Sequence, residues 1–240
     1  MDLNDLATYV DDRGSQPPLL CPAYRSTRLR APLRPPVLLA QRLTEVTGPL
    51  LGEERVMAVE ADLTARSDGE PIGQRITVQG QVRDSDGRAV PHTLVEIWQA
   101  NAAGRYAHER DTWPAPLDPH FAGVGRAMTD AEGRYRFTTV RPGAYPWGNH
   151  HNAWRPAHLH FSLFGRSFTQ RLVTQMYFPD DPLHAFDPIF CSVPESARSR
   201  LVSRFSMDDT QPAWALAYQW DIVLRGHGSS PFGQPHEQDT

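Results

Sequence analysis

The chain has 240 residues, a formal net charge of −4 at pH 7 and only two cysteines. That length suits one large all-β domain carrying an arm, with ample material for a core. The mild acidity, with no basic stripe, excludes nucleic acid as a natural partner, and Cys21 and Cys191, so far apart, exclude a disulfide-dense scaffold and read as inert buried thiols in a reducing cytoplasm.

The N-terminus, Met1-Asp2-Leu3-Asn4-Asp5, is acidic where a signal peptide is basic. No apolar run approaches the ~20 residues that span a bilayer. A cytoplasmic chain without membrane contact is expected. Residues 1–71 read as an arm lying on the core or on a partner subunit, because Pro17, Pro18, Pro22, Pro32, Pro35, Pro36 and Pro49 leave little room for regular structure. One short helix fits over 37–46, where Leu38, Leu39, Leu43 and Val46 are helically spaced.

From Ile72 the texture becomes that of short strands, so residues 72–226 are expected to form an all-β sandwich with few short helices. Ile76, Val78 and Val82 alternate with polar neighbours, and Asp86-Gly87 offers a tight hairpin turn. A strand over 93–99 puts Leu94, Glu96 and Trp98 on one face and Val95 and Ile97 on the other. Glu132-Gly133 turns the chain into an alternating strand over 135–140, and further strands fit 158–163, 171–177 and 218–224. A helix is expected over 194–205, with Ser192 and Glu195 as a capping-box pair and Pro194 in the first turn. The polar tail, 227–240, is expected to be loosely ordered.

The sharpest chemical signal is Trp154-Arg155-Pro156-Ala157-His158-Leu159-His160-Phe161. In a strand, His158 and His160 share one face while Leu159, Phe161 and Leu163 share the other. Two neutral imidazoles at that spacing can reach one metal ion, although two half-exposed histidines on an ordinary strand fit the pattern as well. Tyr106, beyond the end of a strand, and Tyr145, in a proline-pinned loop, read individually as packing residues.

Three segments change that reading when taken together: Val95-Glu96-Ile97-Trp98-Gln99-Ala100 through Gly104-Arg105-Tyr106, Arg141-Pro142-Gly143 through Tyr145-Pro146-Trp147, and Trp154 through His160. In this order they resemble the intradiol ring-cleavage dioxygenases. The stretch Tyr24-Arg25-Ser26-Thr27, the segment Thr174-Gln175-Met176-Tyr177-Phe178 and the closing Asp221-Ile222-Val223-Leu224-Arg225-Gly226 resemble, within that family, the iron-bearing beta subunit of its hetero-oligomeric branch. The similarity runs along nearly the whole chain.

The resemblance implies an Fe(III) ion held by Tyr106, Tyr145, His158 and His160, a catecholic substrate, dioxygen and a companion alpha subunit. It implies ring opening of protocatechuate to 3-carboxy-cis,cis-muconate. Tyr145 would double as the base that accepts substrate protons. Arg155 would stabilise negative charge developing on the ring, the alternative being a surface ion pair. Gln175 would help position substrate or oxygen, the alternative being a strand residue bonding a nearby loop. Trp147 and Ile189 would supply apolar walls, and Tyr24 would lie near the substrate carboxylate. After Trp147 the chain continues Gly148-Asn149-His150-His151, where related sequences carry a basic residue.

Three rivals remain at this stage. One is a catechol or hydroxyquinol 1,2-dioxygenase, which the arm's lack of helical periodicity disfavours. Another is an Fe(II) oxygenase joining the histidines to Glu96 or Asp180. The last is a non-enzymatic sandwich with structural zinc, in which folding would have to bring Cys191 near His158.

Overall fold

The computed structural model describes residues 14–35, 56–148, 152–164 and 171–232. The helix expected over 37–46 lies outside the described residues. Two sheets face each other. In the first, β1 (Arg75–Arg83) pairs antiparallel with β4 (Arg134–Val140) on one side. On its other side β1 pairs parallel with β10 (Ala215–Gln219) and then with β11 (Ile222–Val223), and β9 (Arg204–Gln211) closes the far edge against β10. The second sheet runs in the order β3 (Val124–Met128), β2 (Leu94–Trp98), β7 (His158–Phe164), β8 (Arg171–Tyr177).

The period-2 pattern of the strands builds the core directly. Ile76, Val78, Phe137, Val95, Ile97, Leu159, Phe161 and Leu163 are all fully buried in one cluster drawn from both sheets. Phe161 touches Trp220, Tyr135 and Phe137 with centroid separations of 4.9, 5.8 and 6.4 Å, so one ring of the second sheet locks into three of the first. Burying a side chain of this size contributes about 1.5–3 kcal/mol. Leu63 adds to the same core, and its N–H donates to Thr138 O, which ties residues before 72 to β4. Near the chain ends, Ser15 Oγ donates to His227 O and Gln16 Nε2 to Ser229 Oγ.

Several expectations need correction. Asp86-Gly87 does reverse the chain, but only one isolated bridge, Arg83 to Ala89, follows before the chain crosses to the second sheet. The strand expected over 218–224 breaks at Trp220-Asp221. There Trp220 O accepts from Tyr135 Oη at 2.6 Å and Asp221 Oδ1 accepts Gln81 N–H, so a side chain takes over one rung of the ladder. Gly80 permits this close approach, since a Cβ there would lie 1.8 Å from Trp220 O.

The helix over 194–205 is shorter than expected. The structure has α2 (Pro188–Ser192), α3 (Glu195–Arg198) and a 3-10 turn over Ser199–Leu201, after which Phe205 is already in β9. Ser192 does not cap α3, because its Oγ donates back to Ile189 O. The short N-terminal helix α1 (Thr27–Arg30) and strand β3 carried no recognised sequence signal. Residues 227–232 are not loose: Ser230 N–H donates to Val223 O, and Pro231 O accepts from Thr174 Oγ1. Cys21 and Cys191 are free and half-exposed rather than buried. Among the described residues no helix is long and apolar enough to cross a membrane.

Candidate metal centre

Strand β7 presents its two faces as the alternation requires. Leu159, Phe161 and Leu163 enter the core, and His158 and His160 face away from it, yet both imidazoles are buried rather than half-exposed. The neighbouring strands cover them. Trp98 of β2 is in register with His160 and stacks on it, with centroids 4.8 Å apart and planes 4° from parallel. Gln175 and Tyr177 of β8 are in register with His160 and His158. His158 Nδ1 lies 2.7 Å from Pro156 O, which can only accept. Nδ1 therefore carries the proton, and the Nε2 lone pair points into the site.

Two loops bring the tyrosines to this face. Asn101, just past β2, folds the first. Its Oδ1 accepts from Ala103 N and Arg105 N, and its Nδ2 donates to Pro116 O. Asp111 then accepts Tyr106 N–H at 2.8 Å and Trp113 N–H at 2.9 Å. Tyr145 sits in β5 (Tyr145–Pro146), a two-residue strand paired with β6 (Trp154–Arg155), where Tyr145 and Arg155 are register partners. The two loops touch: Gly143 N–H donates to Asn101 O. A Cβ on Gly104 would lie 2.2 Å from Ala144 O, and one on Gly143 would lie 2.5 Å from Ala102 O. Any larger residue at either place would force apart the two loops that carry the phenols.

The four predicted ligand atoms form a closed ring. Tyr106 Oη to Tyr145 Oη is 3.4 Å, Tyr145 Oη to His158 Nε2 is 3.2 Å, His158 Nε2 to His160 Nε2 is 3.2 Å, and His160 Nε2 to Tyr106 Oη is 3.1 Å. At the roughly 2.1 Å bonds that nitrogen and oxygen ligands make to a first-row metal ion, neighbouring donors are separated by about 3.0–3.4 Å. The ring has the dimensions of a metal's coordination shell. Burial, reinforced by neighbouring Tyr145, holds the Tyr106 phenol well above its ordinary pKa. Burial also raises Tyr145, with Arg155 working against the rise. Such phenols ionise at neutral pH only where a strong cation replaces the proton, which is the chemistry a hard trivalent ion supplies.

Arg155 is fully buried, so a surface ion pair is ruled out. Its guanidinium meets Asp187 through Nη2 at 2.9 Å and Nε at 3.3 Å, donates to Gln175 Oε1 and to Tyr177 Oη, and places Nη1 3.1 Å from His158 Nε2. Burial alone would lower its pKa. Asp187, with Tyr177 and Tyr145, outweighs that and holds the group firmly charged. Asp187, also fully buried, caps α2 by accepting Ile189 N–H at 3.1 Å. Gln175 is buried, and its Nε2 has no partner among the described residues. Trp147 lies under the Arg155 guanidinium, 5.3 Å from CZ to ring centroid, and against the buried Tyr24 ring at 5.7 Å.

A cavity of about 680 Å³ opens onto Tyr106, Tyr145, His160, Trp98 and Trp147. Gln175, Tyr24 and Ile189 are not on its wall; Ile189 is buried in α2. A second groove, about 720 Å³, lies on the first sheet beside Arg134, Arg136 and Arg204, away from the four donors. Sequence reasoning missed Asp187, Tyr177 and the stacking role of Trp98. The Asp187-Pro188 dipeptide was a readable helix-start signal. Among the described residues no group of three or more His, Cys, Asp or Glu side chains could hold a metal ion. Glu96 and Asp180 therefore do not complete a site with the histidines, and Cys191 Sγ is directed to His184 O and Ala185 O.

The sequence matches the family described as Dioxygenase over residues 46–226 and the one described as Protocatechuate 3,4-dioxygenase beta subunit N terminal over 9–42. It is 58% identical over 222 residues to the protocatechuate 3,4-dioxygenase beta chain of Burkholderia cepacia, covering 92% of this chain and 94% of that one. Against the alpha chain from the same organism the identity is 30% over 161 residues, 67% of this chain and 77% of the other. The crystal structure of 3-chlorocatechol 1,2-dioxygenase from Rhodococcus opacus shares the fold, with a TM-score of 0.54 at 23% identity over 75% of this chain and 70% of that one.

Proposed function

Because the chain belongs to the intradiol ring-cleavage dioxygenase family, we infer that it is the metal-bearing, beta-type subunit of an enzyme that opens protocatechuate between its two hydroxyl-bearing carbons with dioxygen, giving 3-carboxy-cis,cis-muconate. The observation that carries this reading is the ring of two phenol oxygens and two imidazole nitrogens, with edges of 3.1–3.4 Å, opening on one cavity. That donor set fits a ferric ion, held by Tyr106, Tyr145, His158 and His160. When bound, the ion supplies Lewis acidity that binds the catechol oxygens and makes the ring reactive toward dioxygen.

The side chains of this chain do the rest. The Pro156 carbonyl and the Trp98 ring fix the two imidazoles, so neither has to reorient when the site loads. Tyr145 serves as the base. Burial keeps the phenol protonated when no ion is bound, so its phenolate would form only on the ion, from where it could take up a catechol hydroxyl proton. Arg155, held in one orientation by Asp187, Gln175 and Tyr177, places fixed positive charge beside the reacting ring and stabilises the anion that develops there. Gln175, off the cavity wall, acts through Arg155, whose Nη2 donates to its Oε1. Trp147 and Trp98 form apolar walls that restrict water. Tyr24 and Ile189 act from behind, Tyr24 through its contact with Trp147 and Ile189 through the Asp187 cap. The likeness to an alpha chain supports assembly with a companion alpha subunit.

The direct test is product analysis. The chain, co-produced with a candidate alpha subunit and loaded with iron, is expected to convert protocatechuate to the tricarboxylic muconate with uptake of one dioxygen. An extradiol product, or none, sinks the reading. Tyr145→Phe is expected to shift the visible absorption band of the iron-loaded protein and to lower turnover, because a charge-transfer donor is lost. An unchanged spectrum rejects Tyr145 as a ligand.

A further inference from the structure

A carboxylated catechol brings an anion into a cavity of aromatic rings, and an unpaired carboxylate there is costly. The charged groups on the wall limit what can meet it. Arg155 is not on the wall and is already engaged with the Asp187 carboxylate at 2.9 Å. Asp111 is on the wall, but its oxygens accept Tyr106 N–H and Trp113 N–H, and it lies 3.7 Å from Arg105 Nε. Arg110 remains. It is the one permanent cation among the described residues lining the cavity, it is exposed, and no partner for its guanidinium is found among the described residues.

Its backbone is not loose. Arg110 N–H donates to His108 Nδ1 at 3.2 Å, and Asp111 N–H donates to His108 O at 3.1 Å, closing a turn. The same loop is pinned at both ends by the Asp111 carboxylate and by Arg105, whose guanidinium donates to Trp113 O and Ala115 O. A fixed backbone with an uncommitted five-donor fork is the arrangement that reads a carboxylate.

We propose that Arg110 is the residue that selects a carboxylated catechol over an unsubstituted one, pairing with the ring carboxylate at the cavity rim. This rests on the ring-cleavage reading above. The test uses the iron-loaded chain assembled with its alpha partner, with Arg110→Gln and Arg110→Lys, and two readouts. One is turnover of protocatechuate against catechol; the other is calorimetric binding of 4-hydroxybenzoate against phenol, neither of which can be cleaved. Arg110→Gln is expected to lower kcat/KM for protocatechuate about tenfold, chiefly through KM, and to weaken 4-hydroxybenzoate to match, while catechol and phenol change by less than about twofold. Arg110→Lys recovers part of the loss, since the charge survives without the fork. Equal losses for carboxylated and plain ligands, or no loss for either, overturn the proposal. A wild-type assembly that opens no ring overturns the functional reading instead, and the calorimetric preference still decides the role of Arg110.

Discussion

Replacing His158 with alanine is expected to leave the purified protein with less than about a tenth of its iron, because even loss of a residue that only orients a ligand lowers metal affinity about 10–100-fold. The fold should survive. The residues that bind β7 into the core are Leu159, Phe161 and Leu163, on the opposite face. The imidazole of His158 supplies one corner of the ring, and its neighbours at 3.2 Å, Tyr145 Oη and His160 Nε2, are left with a gap on that side. Elemental analysis per folded chain, alongside circular dichroism, checks the result. Full iron occupancy in a folded variant contradicts the ligand assignment.

The second large effect concerns Asp187. In Asp187→Ala the Arg155 guanidinium stays buried and charged with its carboxylate partner gone, and such an uncompensated charge costs about 3–5 kcal/mol. Both groups are fully buried, so solvent screening does not soften the loss. For a chain of this length that corresponds to a fall in thermal midpoint of roughly 6–20 °C. The same substitution removes the cap on Ile189 N–H, which adds to the cost. Asp187→Asn keeps a side-chain acceptor and should lose less. Turnover should fall more steeply than iron content, because the group set adrift lies 3.1 Å from His158 Nε2 while the four candidate ligands remain. A midpoint within about 2 °C of wild type would falsify the claim that this pair anchors Arg155.

What the sequence made legible was whatever depended on near neighbours. The opposition of His158 and His160 to Leu159 and Phe161 is a period-2 property of one strand, and it held to the residue. The strands expected over 93–99, 135–140 and 171–177 are present with small shifts at their ends. Long-range contacts were not legible. Nothing near Tyr106 or Tyr145 announces that their loops meet through Asn101 and Gly143, and only the family resemblance singled these tyrosines out. The break at Trp220 is imposed by Tyr135, 85 residues earlier. Ser192 and Glu195 had the spacing of a cap, but the hydroxyl found a nearer acceptor in the helix before it. Ile189 looked like a wall residue and is instead buried in α2, where the carboxylate that orients Arg155 also receives its N–H.

Strand β7 has one further consequence. Its inner row holds the two sheets together and its outer row holds two of the four candidate ligands, on the same seven residues. On the proposed assignment metallation and melting are coupled equilibria: an occupied centre would resist heat, and a chain partly stripped of the ion should unfold in two separate populations. Breeding this protein for heat tolerance, with no assay of catalysis at all, would then enrich for variants with the firmest hold on the proposed ion.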